Sequence, residues 1–160
     1  KAKPMVFGRI YGSGVPGLAR SNGVSEAVAR SVIDAMDVLT PGLTEWSRMV
    51  RDGVEAGRTQ FETYSGRIVH LPKRAAHAGP NYCIQGTARE LLVDALIRWL
   101  DTPWGGCVLL PVHDELVVMV PEDEAAEASA ALTECMATNL FGVPIVAEAS
   151  TPTFAWEDAA

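Results

Sequence analysis

Two adjacent acids, Asp114 and Glu115, interrupt an apolar stretch between Cys107-Val108-Leu109-Leu110-Pro111-Val112 and Leu116-Val117-Val118-Met119-Val120. Runs rich in Val and Leu read as strands. So little sequence separates these two that the chain must reverse tightly, as a β-hairpin with buried arms and the acids at its tip. Carboxylates so placed need compensation. Water can supply it, and so can a divalent cation, because carboxylate oxygens suit Mg2+ or Mn2+. Acids are also common turn residues, so the hairpin alone leaves both readings open.

A second group of chemistry-bearing residues lies near the start. Lys3, Phe7 and Tyr11 recur at i, i+4 and i+8 and would project from one helix face as a cation followed by two rings. A snorkelling Lys over packed aromatics would give the same pattern. A nucleotide would suit it too, with ammonium against phosphate and rings against sugar and base. Asn81 and Gln85 stand one helical turn apart, and Gly86 follows inside the same helix. A mid-helix Gly costs roughly 1 kcal/mol against Ala, which fits close approach of another backbone or of a ligand. Asn and Gln side chains can reach a DNA minor groove or a sugar edge. Arg67, beside the Gly66 turn, is placed for a phosphate or simply for solvent.

These groups need elements to hold them. The spacing predicts a helix from Lys3 to Gly12, broken by Tyr11-Gly12-Ser13-Gly14-Val15-Pro16-Gly17. A helix capped by Ser25 follows, with Val28, Val32, Met36 and Leu39 inward, ending at Thr40-Pro41-Gly42. The next carries Leu43, Trp46, Val50 and Val54 inward, with Arg48, Arg51 and Arg58 on its outer face and exit. Gln60–Tyr64 and Arg67–Leu71 read as a hairpin around Ser65-Gly66. Pro72 to Pro80 reads as a loop. Asn81 to Leu100 is the strongest helix, with Ile84, Ala88, Leu91, Leu92, Ala95 and Trp99 on its apolar face. After the central hairpin, Pro121 opens a helix running through Leu132, Met136 and Leu140, and Val143–Ala147 is a last strand. The order predicts an α+β fold with an antiparallel sheet, built as one unit over residues 1–160.

Composition agrees with a globular chain. Among 160 residues 48% are hydrophobic and 21% charged, which argues against disorder, and no apolar run is long enough for a membrane span. Cys83, Cys107 and Cys135 are odd in number and widely spaced, without a CxxC pair. They are expected to be reduced core thiols of a cytoplasmic protein. The net charge of −7 conceals a split: residues 1–98 hold all 13 bases against nine acids, a net +4, and residues 99–160 hold 11 acids and no Lys or Arg. A basic half suits phosphates and an acidic half suits cations. The acids Glu122, Asp123, Glu124 and Glu127 are accounted for by a solvated helix start.

Three stretches taken together are more specific than any one. Lys3-x3-Phe7-Gly8-x2-Tyr11-Gly12 resembles the fingers-helix motif of family A DNA polymerases, the bacterial polymerase I type. Asn81-x3-Gln85-Gly86-Thr87-Ala88 resembles that family's helix start against the primer–template minor groove, and Val112-His113-Asp114-Glu115 resembles its palm hairpin. Gly66-Arg67 before the long helix matches in order as well. The resemblance covers essentially the whole chain. It implies fingers-like helices over residues 1–58, and palm-like hairpins, a long helix and a C-terminal strand over residues 59–160. It implies that Lys3 holds the incoming deoxynucleoside triphosphate and protonates pyrophosphate, that Phe7 packs on the nucleotide, and that Tyr11 lies at the templating base. Arg67, Asn81 and Gln85 are implied to contact primer–template DNA, and His113 the primer end. Asp114 is implied to bind catalytic Mg2+ or Mn2+, with Glu115 as a secondary carboxylate.

The departures are specific. The family's pair of Arg before the fingers lysine is not present, Pro4 follows Lys3 directly, and Val6 stands where a polar residue is common. His77 and Pro111 stand where the family usually has Arg and Gln. The family's other metal-binding Asp precedes the fingers helix, and nothing before Lys1 supplies it. The expectation is therefore that the 160-residue chain does not extend a primer by itself and works with an upstream polypeptide segment carrying that Asp. The alternatives are a catalytically silent DNA- or nucleotide-binding remnant or partner subunit, and a metal-dependent phosphohydrolase built on His113, Asp114 and Glu115. The last gives no reason for Lys3, Phe7 and Tyr11 to share a face. The polymerase reading requires the lysine-and-rings surface and the tip acids to face a shared cleft.

Overall fold

The computed structural model describes residues 2–151. By internal contacts the chain divides into two compact units, residues 1–87 and 88–160.

The first unit begins with α1 (Ala2–Ile10). Pro4 falls in its first turn, where a missing backbone N–H breaks no helical bond. The Gly- and Pro-rich stretch read as a break contains a helix of its own, α2 (Val15–Asn22). Pro16 occupies its first turn, and Gly23 closes it with φ 61° in the left-handed region. α3 (Glu26–Leu39) starts where expected, its N-cap Ser25 accepting from the Val28 N–H. Half of its expected inward face stands: Met36 is buried and Val32 packs, with Ile33, against the cluster that holds fully buried Ala29, whereas Val28 and Leu39 are exposed. α4 (Pro41–Glu55) buries Val50 and Val54 as the spacing required.

Strands β1 (Gln60–Glu62) and β2 (Ile68–His70) pair antiparallel, Phe61 opposite Val69. The expected loop at 72–80 is a 3₁₀ helix over Lys73–Ala78, and α5 (Gly79–Leu100) starts directly after it. Two apolar clusters hold this unit. One joins Met5, Leu18, Ala19 and Ala29; the other joins Val50, Val54, Phe61, Leu71, Ala76 and Cys83.

The second unit takes the remainder of α5, with Leu92, Ala95 and Trp99 in its core beside Leu116, Ala128, Leu132 and Cys135. Strands β3 (Val108–Val112) and β4 (Glu115–Val118) form the central hairpin, with an irregular register between Val108 and Leu110. Its arms are not buried as expected: Leu109 is 54% and Leu110 40% exposed, and in β4 only Leu116 is buried. The register shift leaves Leu109 without an opposite residue, and a two-stranded ribbon covers at most one of its faces. Glu122–Glu124 form a 3₁₀ turn leading into α6 (Ala125–Met136). That helix stops before Leu140, which belongs instead to β5 (Thr138–Leu140), paired with β6 (Val143–Ile145). Phe141 and Gly142 turn this third ribbon with φ 52° and 85°.

The α+β reading therefore stands as helices with small antiparallel ribbons. Among the described residues the six strands form three separate pairs rather than one sheet. No helix among them is long and apolar enough to cross a membrane.

Candidate nucleotide and nucleic-acid site

In the first unit, α1 presents the expected stripe. The Lys3 Nζ lies 5.9 Å from the centre of the Phe7 ring, and the Phe7 and Tyr11 rings are 6.1 Å apart with planes tilted by 42°. Phe7 and Tyr11 are 43% and 39% exposed, so neither serves as a core residue. Solvent-facing aromatics beside an ammonium form a surface for a flat, anionic partner. Lys3 forms no ion pair among the described residues, which leaves its charge for such a partner. On an adjoining face of α1, a β-carbon at Gly8 would stand 2.7 Å from the Leu18 Cδ2 of α2, so the two helices approach closely there.

Gln85 joins this stripe. Its Nε2 donates to the Tyr11 Oη at 3.2 Å, fixing the phenol against the first turns of α5. Asn81, one turn earlier, is half-buried. Its Oδ1 is buried with no hydrogen-bond partner among the described residues, and a buried acceptor is normally satisfied.

Arg67 and Gly86 are also brought together. The Arg67 Nη2 donates to the Gly86 carbonyl at 3.4 Å, and the Tyr64 N–H donates to the Thr87 Oγ1 at 3.4 Å. A β-carbon at Gly86 would stand 2.8 Å from the Thr63 Cγ2 and 3.2 Å from the Arg67 Nη2. The close neighbour required by this mid-helix Gly is therefore the β1–β2 hairpin. The spacing did not reveal the part played by Thr63, which is buried beside the β1–β2 turn, or by Thr87 within α5.

In the second unit, Val112 pairs with Glu115, so His113 and Asp114 form the two-residue turn and Glu115 is the first residue of β4. Only Asp114 of the two acids lies at the tip itself. His113 has φ 51°, an uncommon conformation for a non-glycine residue that a two-residue hairpin turn imposes. All three side chains are exposed. Among the described residues no group of three or more His, Cys, Asp or Glu gathers as a metal cluster. Carboxylate oxygens are the right donors for a hard cation. Mg2+ takes one or two carboxylates and completes its shell with water and phosphate oxygens. Asp114 and Glu115 fit that demand in kind, as part of a coordination shell.

The three cysteines are free, with Cys83 and Cys135 buried. Burial raises both thiols above their ordinary value, the nearby Arg58 partly opposing this at Cys83 and Arg98 at Cys135.

Compared with known proteins, the sequence matches the family model for DNA polymerase family A over residues 1–158. The chain belongs to DNA polymerase family A. It is 32% identical over 140 residues to the DNA polymerase of Mycobacterium phage D29, covering 87% of this chain and 23% of that protein. To the thermostable DNA polymerase I of Thermus filiformis it is 33% identical over 149 residues, covering 84% of this chain and 18% of the relative. This family A chain thus spans about a fifth of the length of the curated relatives it matches. The polymerase domain of Pol1 from M. smegmatis, solved with DNA primer–template and dNTP, superimposes with a TM-score of 0.74 at 28% identity, over 89% of this chain and 28% of that one.

Proposed function

We propose that this chain takes part in template-directed DNA synthesis as the fingers and palm portion of a family A polymerase, residues 1–58 serving as fingers and residues 59–160 as palm. The observation that carries the reading is the Lys3–Phe7–Tyr11 stripe closed by Gln85. Lys3 holds the triphosphate of the incoming deoxynucleotide, and its ammonium gives a proton to the departing pyrophosphate. Phe7 packs on the nucleotide and Tyr11 marks the templating-base position. Gln85, Asn81 and Arg67 contact the primer–template duplex, and His113 the primer end. Asp114, with Glu115 beside it, holds Mg2+ or Mn2+. A divalent cation held there would supply charge neutralisation on the phosphates and a lower pKa for the attacking hydroxyl.

A two-cation site would need more carboxylate oxygens than one hairpin turn offers. The two acids of this hairpin do not fill that requirement, so we infer that a further carboxylate comes from polypeptide outside these residues. A primer-extension assay with primed template, dNTPs and Mg2+ tests both statements. The protein alone should leave the primer unextended, and adding a polypeptide with the family's other palm Asp should restore extension. Asp114→Ala should then lose at least ~10²-fold in rate, the scale of removing one charge-stabilising group. Extension by the protein alone would refute the need for a partner.

The exposure of both acids, and the lack among the described residues of a gathered group of three or more ligating side chains, also favour a second reading, a catalytically silent DNA- or nucleotide-binding subunit. DNA binding without extension in any combination would select it.

A further inference from the structure

Within the first unit an open hollow has apolar walls from residues such as Met36 and Leu43, and its polar lining includes Arg9 of α1, Thr44, Ser47 and Arg51 of α4, and His77 of the 3₁₀ helix. It lies apart from the Lys3 and Phe7 positions on α1, and none of the roles above uses it. Two features make it attractive to an anion. Arg51, on the hollow's wall and half-buried, has no hydrogen bond or ion pair among the described residues, and neither has the Ser47 hydroxyl. Arg9 is held only at 3.4 Å by Asp37, an acid that also accepts from the Thr44 hydroxyl at 2.9 Å. Guanidinium groups beside a hydroxyl are donors that a phosphate oxygen array accepts from.

We propose that this hollow seats one phosphate group of a bound DNA strand, with Arg51 as its main charge and Arg9 and Ser47 as supporting donors. Assigning the phosphate to a DNA strand rests on the polymerase reading; the anion-binding geometry does not. A phosphate contact fixes the strand's position without reading its sequence, and each phosphate neutralised adds to the salt dependence of binding.

The test follows the anisotropy of a fluorescein-labelled primer–template with a 5′ overhang, titrated with the protein between 50 and 200 mM NaCl. Arg51→Ala should weaken binding alike for different sequences and reduce the slope of log affinity against log salt by roughly 0.7–0.9. Arg51→Lys should keep most of the slope. Arg48→Ala, on the same helix but paired with Asp52, should leave it unchanged. An Arg51→Ala slope equal to that of the unaltered protein, or an equal fall in Arg48→Ala, would overturn the proposal. So would sodium phosphate shifting the Arg51 guanidinium NMR signal while the Arg51→Ala slope stays unaltered, which would mark a free-anion site. If the unaltered protein shows no salt-dependent DNA binding, the polymerase reading fails too; failure confined to the Arg51 variants leaves that reading standing.

Discussion

At Tyr11 two contacts converge: the Phe7 ring on one side and the Gln85 amide at 3.2 Å on its hydroxyl. An exposed phenol tied in this way keeps one orientation, which a flat partner can use without ordering the ring anew. The Lys3 charge is the complementary handle. Because Lys3 is exposed and unpaired, Lys3→Ala should leave the melting midpoint within the small range usual for surface changes. It should weaken dNTP binding about tenfold, as loss of a charge-assisted contact of about 1.5 kcal/mol would. Nucleotide titration beside thermal melting separates the two, and equal losses in both would remove Lys3 from the binding surface. The cysteines make a second prediction. Burial holds Cys83 and Cys135 in the protonated thiol form at pH 8, so iodoacetamide should modify half-exposed Cys107 first and the other two only on unfolding. The sign with pH follows. A raised folded value means that unfolded thiols ionise first, so these two cysteines withdraw stability in alkaline solution and cost none in acid. Mass spectrometry of alkylated peptides reads the order of modification, and the urea midpoint across pH 7–10 reads the change in stability.

Elements show where close packing sets residue choice. Replacing Gly86 by Ala would gain roughly 1 kcal/mol of helix propensity. The new methyl would stand 2.8 Å from the Thr63 Cγ2, a stiff β-branched group that is itself buried. Overpacking of that kind costs about 1–3 kcal/mol, so Gly86→Ala should destabilise by up to about 2 kcal/mol in urea unfolding. Gly12→Ala should be worse, because Gly12 combines φ +90° with a β-carbon position that collides with the His77 carbonyl oxygen. The same packing explains what was legible in the sequence. Ser25 announced its helix because a hydroxyl cap is a local signal, and the Asn81–Leu100 pattern announced α5 through apolar periodicity. The face of α3 was only half legible, Met36 and Val32 but not Val28 and Leu39, because its deepest residue, Ala29, carries almost no hydrophobic signal. α2 was hidden by Pro16 and Gly17, breakers in a helix interior but tolerated in a first turn. The β5–β6 ribbon was hidden by Phe141, a non-glycine residue at φ 52°. At the candidate site, the Lys3 stripe and the hairpin acids could be read from spacing. The Gln85–Tyr11 bond and the Arg9–Arg51 hollow could not, since each joins residues distant in sequence.

For the molecule as a whole, the division of charge and the division of cores run nearly together. The bases lie within residues 1–98, and the unit built on Val50, Val54 and Leu18 ends at residue 87. Residues 88–160 are mostly acidic and are organised around Trp99, which is fully buried, stacks 6.2 Å from Trp104 and shares a cluster with Leu92, Leu116 and Leu132. No buried residue of that cluster belongs to either cluster of the first unit, so each unit has its own apolar core. Trp99→Ala removes the largest fully buried side chain and should cost about 3–5 kcal/mol, a large part of the about 5–15 kcal/mol that holds a domain folded. If the cores are energetically separate, that loss is local. Hydrogen exchange should speed at the amides of Leu92, Leu132 and neighbouring residues in the second core, and protection should persist at Val50 and Val54. Uniform loss of protection in both sets would instead show that the whole chain unfolds as one cooperative unit.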